Sequence, residues 1–173
     1  MTTTLFTNAH IATGEPGSTA ASTLPLQDIL VTDGVFTAFG PGLAQQYEAQ
    51  GGDPAAIEVV DLGGKLVCPP FCDTHLHLDY VFTARKPGAV NESGTLFERW
   101  SETKSDLTVD EIKQRAKIGI KKEMLHGVQL IRSHADVTDP NLTSLKALLE
   151  LKEELKDTVT LQIVSFPQEG MYS

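Results

Sequence analysis

The chain has 173 residues, room for one ordinary domain or one domain with a small appendage. Apolar residues make up 40%, enough for a core, and 14 Lys and Arg stand against 23 Asp and Glu for a formal charge of −9. Such a surface, with no basic cluster, repels phosphate backbones and argues against a nucleic-acid partner. No apolar run approaches the roughly 20 residues of a membrane span, and the N-terminus lacks a secretory-signal pattern, so a soluble, cytoplasmic protein is expected.

Residues 1–66 read as short β-strands, "LFTNAHI", "DILVTDGVFTAFG" and "IEVVDLGGKLV", parted by loops such as "TGEPGSTAASTLP" and "QGGDPAA". Asp33-Gly34 predicts a hairpin turn, because this pair tolerates positive φ. "GLAQQYEAQ" predicts a turn or two of helix, and "DLGGKLV" a turn into a strand. Four or five such strands make a thin sheet with an open edge and an uncovered apolar face.

Residues 67–173 alternate strand and helix. Residues 71–77 are the best strand of the first segment, after the Pro69-Pro70 interruption. Cys68 and Cys72 are too few for a disulfide framework, their spacing misses the zinc-knuckle form, and both are expected as buried strand residues. "GTLFERWSETKS" places Leu96, Phe97 and Trp100 at helical spacing. Thr108 and Glu111 then predict a capping box, followed by an apolar stripe of Val109, Ile112, Ala116, Ile120 and Met124 and a stop at Gly127. "VQLIRSHAD" predicts a strand. In the next helix Asp139 is the expected cap and Pro140 lies in the first turn. Its buried side is expected to hold Leu142, Leu145, Leu148, Leu149 and Leu155. "TVTLQIVSFPQEG" predicts the third strand. Strands joined by helices of this length imply right-handed crossovers and a parallel sheet.

Polar residues gather at the strand ends. His75 and His77 lie two apart, so on a strand their imidazoles share a face and can approach one ion, such as Zn2+ or Fe2+; the alternative is a polar pair closing a strand. Parallel α/β sheets place ligands at that C-terminal end. Asp73 is expected on the same face. Asp79 is either an outer acceptor that orients an imidazole or a loop cap. His134 and Asp136 end the second strand, as neighbours of an ion or as a structural His–Asp pair. Gln168, beside Glu169 after the third strand, is either a reader of a carbonyl and a ring nitrogen or a turn residue behind Pro167. His10 and His126 read as structural or solvated.

In this order and spacing, "PPFCDTHLHLD", "SGTLF", "RSHADV" and "LQIVSFPQEG" resemble bacterial-type cytosine deaminases of the amidohydrolase superfamily, and "GKLVCPPFCDTHLHLD" is similar to that superfamily's entry from a small β-domain into its barrel. The resemblance is strongest from residue 64 onward. It implies an α/β fold: the first three units of a (β/α)8 barrel over residues 67–173, with a piece of a β-sandwich over 1–66. It also implies one divalent metal, Fe2+ or Zn2+, held by His75 and His77. A pyrimidine or similar heterocycle would lie against Gln168 and Phe166; Asp79, His134 and Asp136 stay, from their positions alone, candidates for an outer shell behind the ligands. The activity implied is hydrolytic deamination of cytosine to uracil and ammonia, in a parent enzyme expected to be a homo-oligomer.

The chain also departs from that pattern. A barrel runs about 250 residues, and the family's later-strand ligands, its proton-shuttling glutamate with a partner histidine, and the C-terminal strands of its sandwich have no matching positions. "GTLFERW" is about three residues short of the family's stretch, nearly one helical turn. An incomplete, inactive fragment is therefore expected, with no catalytic residue assigned. Two alternatives stand beside it: an amidohydrolase acting on another non-peptide C–N bond, and a non-catalytic piece that binds metal or docks with another chain.

Overall fold

A computed structural model of the protein describes residues 2–12, 25–85, 92–95 and 107–170; the helix expected from Leu96 through Trp100 lies outside them. The chain divides into two compact units, Met1–Pro69 and Pro70–Ser173.

The first unit is a mixed sheet built on β1 (Thr3–Ile11), with β2 (Gln27–Thr32), β3 (Val35–Gly40), β4 (Glu58–Asp61) and β5 (Leu66–Val67). Strand order is β3-β2-β1-β4, and β5 continues along β1 beyond β4. The hairpin contacts are antiparallel, while β4 and β5 run parallel to β1. Asp33 and Gly34 turn the β2–β3 hairpin with φ of 49° and 79°, the positive pair that Asp-Gly accommodates. A helix, α1 (Leu43–Ala49), follows β3, and the Asp28 carboxylate accepts its Leu43 N–H at 3.0 Å. Among the described residues of this unit Leu5, Ala9, Ile29 and Leu43 are the buried apolar ones, whereas Val35, Phe36, Phe39 and Val59 are exposed.

The second unit runs β6 (Phe71–Leu76), α2 (Val109–Leu125), β7 (Val128–Asp136), α3 (Thr143–Glu154) and β8 (Thr160–Phe166). Its strands lie in the order β6-β7-β8, all parallel, as an open three-stranded sheet rather than a closed barrel. Helix α2 begins where Thr108 Oγ1 accepts the Glu111 N–H at 3.2 Å, and the Glu111 carboxylate lies 3.6 Å from Arg115 Nε. The chain leaves α2 through Gly127 at φ 86°. Ile112, Ala116 and Ile120 of α2 pack with Ala147, Leu148 and Leu151 of α3 and with Ile131, Ala135 and Leu161 of the sheet. Both helices therefore cover one sheet face. The other face is more polar than apolar strand cores lead one to expect, with Cys72, Thr74, Leu130, Arg132, Thr160 and Gln162 all exposed.

Three expectations need correction. Helix α3 starts at Thr143, not at Pro140, because Leu142 takes a left-handed conformation (φ 51°) and residues 139–142 form a separate turn. Leu142, just before that helix, and Leu149 on it are exposed, and Ala147 and Leu151 take the buried positions instead. Cys68 and Cys72 are exposed, not buried. No helix among the described residues is long and apolar enough to cross a membrane.

Candidate functional site

The end of β6 does not continue the simple alternation of a strand. Cys72 and Asp73 pair with Leu130 and Ile131, but Leu76 pairs with Ser133, so the register shifts between Asp73 and Leu76. Two residues of β6 separate that pair where β7 has one, which is a bulge. Asp73 Oδ1 accepts the His75 N–H at 2.9 Å and holds the bulge. In-register parallel residues share a face, so Asp73 lies with core-facing Ile131 and Leu76 with buried Ser133. The expectation that Asp73 joins the histidine face fails for this reason. The bulge leaves His75 and His77 on the face away from the helices.

There the two imidazoles meet. His75 Nε2 and His77 Nε2 are 3.3 Å apart. His77 Nδ1 lies 3.1 Å from the main-chain carbonyl of His134. A carbonyl only accepts, so Nδ1 carries the proton and Nε2 presents its lone pair. The His134 ring stacks on His75 at a centroid distance of 4.0 Å and a 23° tilt. Phe166, at the end of β8, turns its ring edgewise to His77 at 5.5 Å and to His134 at 5.8 Å. Four of the sequence-selected residues, from all three strands, are thus brought together. Burial, followed by the neighbouring His75 and His77, lowers the pKa of His134 below the ordinary histidine value.

The remaining selected residues sit around this cluster. Asp79 is fully buried and its Oδ2 accepts the Asp136 N–H at 2.9 Å; burial raises its pKa, against the lowering influence of that N–H and of His77. Asp136, 1% exposed, accepts the Tyr80 hydroxyl at 2.7 Å on Oδ2 and the Thr138 N–H and hydroxyl on Oδ1. Leu78 N–H donates to Ser133 Oγ at 3.1 Å. These bonds tie the turn after β6 to the end of β7, and Arg115 of α2 adds a bond to the Val81 carbonyl at 2.6 Å. Gln168 lies in the turn after β8, where Gly170 N–H donates to Pro167 O, and its Oε1 is buried with no hydrogen-bond partner among the described residues. Sequence reasoning missed the His134 carbonyl, Ser133 and Tyr80. The carbonyl carries no residue-specific signal, and a serine within a strand or a tyrosine after one is ordinary.

The pair can be tested as metal ligands from its own dimensions. Two nitrogens each about 2.0–2.1 Å from one tetrahedral ion stand about 3.3–3.4 Å apart, and the observed separation is 3.3 Å. The proton on His77 Nδ1 is also where an outer acceptor places it in metal sites. The two residues fit as part of a ligand set. Among the described residues no group of three or more His, Cys, Asp or Glu is placed to hold an ion.

No protein-family model matches the sequence. The chain is 35% identical over 120 residues to the N-isopropylammelide isopropyl amidohydrolase of Pseudomonas sp. (strain ADP), a match covering 65% of this chain and 30% of that protein. It is 28% identical over 148 residues to the pterin deaminase of Rhizobium rhizogenes, covering 83% of this chain and 32% of the relative. The crystal structure of 5-methylcytosine deaminase from Klebsiella pneumoniae, liganded with 5-fluorocytosine, superposes with a TM-score of 0.76 at 38% identity, over 98% of this chain and 38% of that one. The chain therefore spans about a third of the length of the curated relatives it matches. The mixed sheet followed by a parallel α/β sheet matches part of the amidohydrolase fold. The chain belongs to the amidohydrolase superfamily and corresponds to the N-terminal part of such an enzyme.

Proposed function

We propose that the chain supplies part of the active site of a metal-dependent deaminase that hydrolyses the exocyclic amine of cytosine or a close pyrimidine. The observation that carries this reading is the 3.3 Å approach of His75 Nε2 and His77 Nε2, the spacing of two ligands on one ion. A divalent ion held there, Zn2+ or Fe2+, would supply a Lewis acid and lower the pKa of a water. His75 and His77 would hold it, with His77 oriented by its Nδ1 bond to the His134 carbonyl. Phe166 would present an apolar wall beside the ligands, and the unpaired Oε1 of Gln168 an acceptor for a ring N–H. Asp79 and Asp136 would fix the turn that follows the ligands. In this reading the first unit is a portion of a β-sandwich and the second the first β/α units of a (β/α)8 barrel. The similarity to a structure that holds 5-fluorocytosine supports a pyrimidine-like substrate.

A second substrate class has its own support. The relatives include an isopropylammelide amidohydrolase and a pterin deaminase, so another amino-substituted heterocycle is the competing reading. Ammonia or amine release from cytosine, 5-methylcytosine, an alkylamino-triazine and a pterin, by the complete enzyme carrying this sequence, separates the two. Turnover of the triazine or pterin with none of the pyrimidines would overturn the pyrimidine assignment. Elemental analysis of His75→Ala against wild type tests the ligands: the variant is expected to lose most of its bound ion, and equal content would remove the metal reading.

A further inference from the structure

We infer that His134 is a positioning residue that sets both imidazoles of the pair at once, His75 through its ring and His77 through its main chain. The inference rests on the metal reading of that pair. The two ligands are fixed by different means. His77 has a hydrogen bond on Nδ1, from which its ring cannot turn without losing the His134 carbonyl. Among the described residues His75 has no such bond on Nδ1. Its ring is exposed and its terminal torsion is intrinsically broad. What limits it is the His134 ring lying flat against it at 4.0 Å. His134 in turn meets Phe166 in an edge-type ring contact at 5.8 Å.

Ring and carbonyl belong to one residue, so the separation of the two Nε2 atoms is tied to the position of a single point on β7. That point is well determined. His134 pairs with Val164 inside an unbroken seven-residue register between β7 and β8. Its neighbours Ser133 and Ala135 are fully buried on the helix side. The bulge in β6 makes the strand that carries the ligands the less regular of the two, so β7 acts as the template. Preorganising a ligand in its bound orientation removes ordering cost from binding, and loss of an outer partner typically weakens metal affinity by about 10- to 100-fold.

Substitution separates the two devices, because every side-chain variant keeps the carbonyl. His134→Phe keeps a flat ring without nitrogens; His134→Ala removes the ring. Zn2+ affinity would be measured by competition with a chromophoric chelator, alongside the visible spectrum of the Co2+-loaded protein and a thermal melt of each metal-free chain. His134→Phe is expected within about threefold of wild type and His134→Ala weaker by about tenfold or more, with a changed Co2+ spectrum. If His134→Ala does not melt cooperatively, His134→Leu, which fills the volume without a flat ring, takes its place. Affinity that falls as far in His134→Phe as in His134→Ala would overturn the inference by making His134 a direct ligand. Equal affinity in all variants would overturn it by making the stack idle. No ion uptake by wild type would remove the metal reading and the inference with it.

Discussion

Tyr80 illustrates how one hydroxyl couples stability to pH. It donates to Asp136 Oδ2 at 2.7 Å, and Asp136 is 1% exposed. Burial, then the bond to Asp136 and the charges of Asp136 and Asp79, raise the phenol's pKa far above its ordinary value of 10.0. A hydrogen bond to a charged acceptor is worth about 1.5–3 kcal/mol, so Tyr80→Phe is expected to lose about that much stability at neutral pH. The sign of the pH effect follows from linkage. The unfolded phenol ionises near pH 10 while the folded one keeps its proton, so the contribution is fully present below about pH 10 and is lost as pH rises beyond it. Urea unfolding of wild type and Tyr80→Phe should therefore show a gap widest at neutral pH and narrowing above about pH 10. A constant gap would mean that Tyr80 is not held in its protonated form.

Helix α3 shows a second coupling, with the opposite sign. Asp139 Oδ2 accepts the Thr143 hydroxyl at 2.5 Å and N–H at 3.0 Å, and Oδ1 accepts the Asn141 N–H at 2.9 Å. The Thr143 hydroxyl first, then the Asn141 N–H, lower its pKa from 3.8. A depressed carboxylate contributes stability above its unfolded pKa and loses it as pH falls through the folded value. Asp139→Ala should cost about 1 kcal/mol at neutral pH; the deficit should close below about pH 3.8, as read from urea midpoints. The sequence expects Asp139 as the cap itself, but the N-cap is Leu142, which makes no side-chain cap bond, and the Asp139 carboxylate reaches Thr143 from the preceding turn; nothing in Asp-Pro-Asn-Leu announces a left-handed Leu142. Where one period governs, sequence and structure agree: "VQLIRSHAD" is β7 in full, and Ile112, Ala116 and Ile120 are the buried stripe of α2. The phase of His75 and His77 is a different matter. Period-two counting puts Asp73 on their face, and the bond from the His75 N–H to the Asp73 carboxylate at the bulge that breaks the count is a local choice that composition does not reveal.

The division into two units gives the site a definite address. His75, His77, His134 and Phe166 all belong to residues 70–173, on a sheet whose described helices α2 and α3 cover the opposite face. Parallel sheets are normally covered on both faces; Cys72, which the sequence places inside, is exposed on this sheet, as are Leu130 and Phe71. Residue type reports a preference for burial; whether a partner surface is present to satisfy it depends on the assembled fold. The same reasoning limits what the first unit contributes to the imidazole pair. Among the described residues, the hydrogen bonds and ring contacts that orient His75 and His77 arise within residues 70–173. A piece comprising residues 70–173 should therefore bind Zn2+ with the stoichiometry of the whole chain and an affinity within about tenfold of it, measured by chelator competition beside a far-ultraviolet melt of each. Loss of binding by a piece that still melts cooperatively would show that ligands or supports from the first unit complete the site.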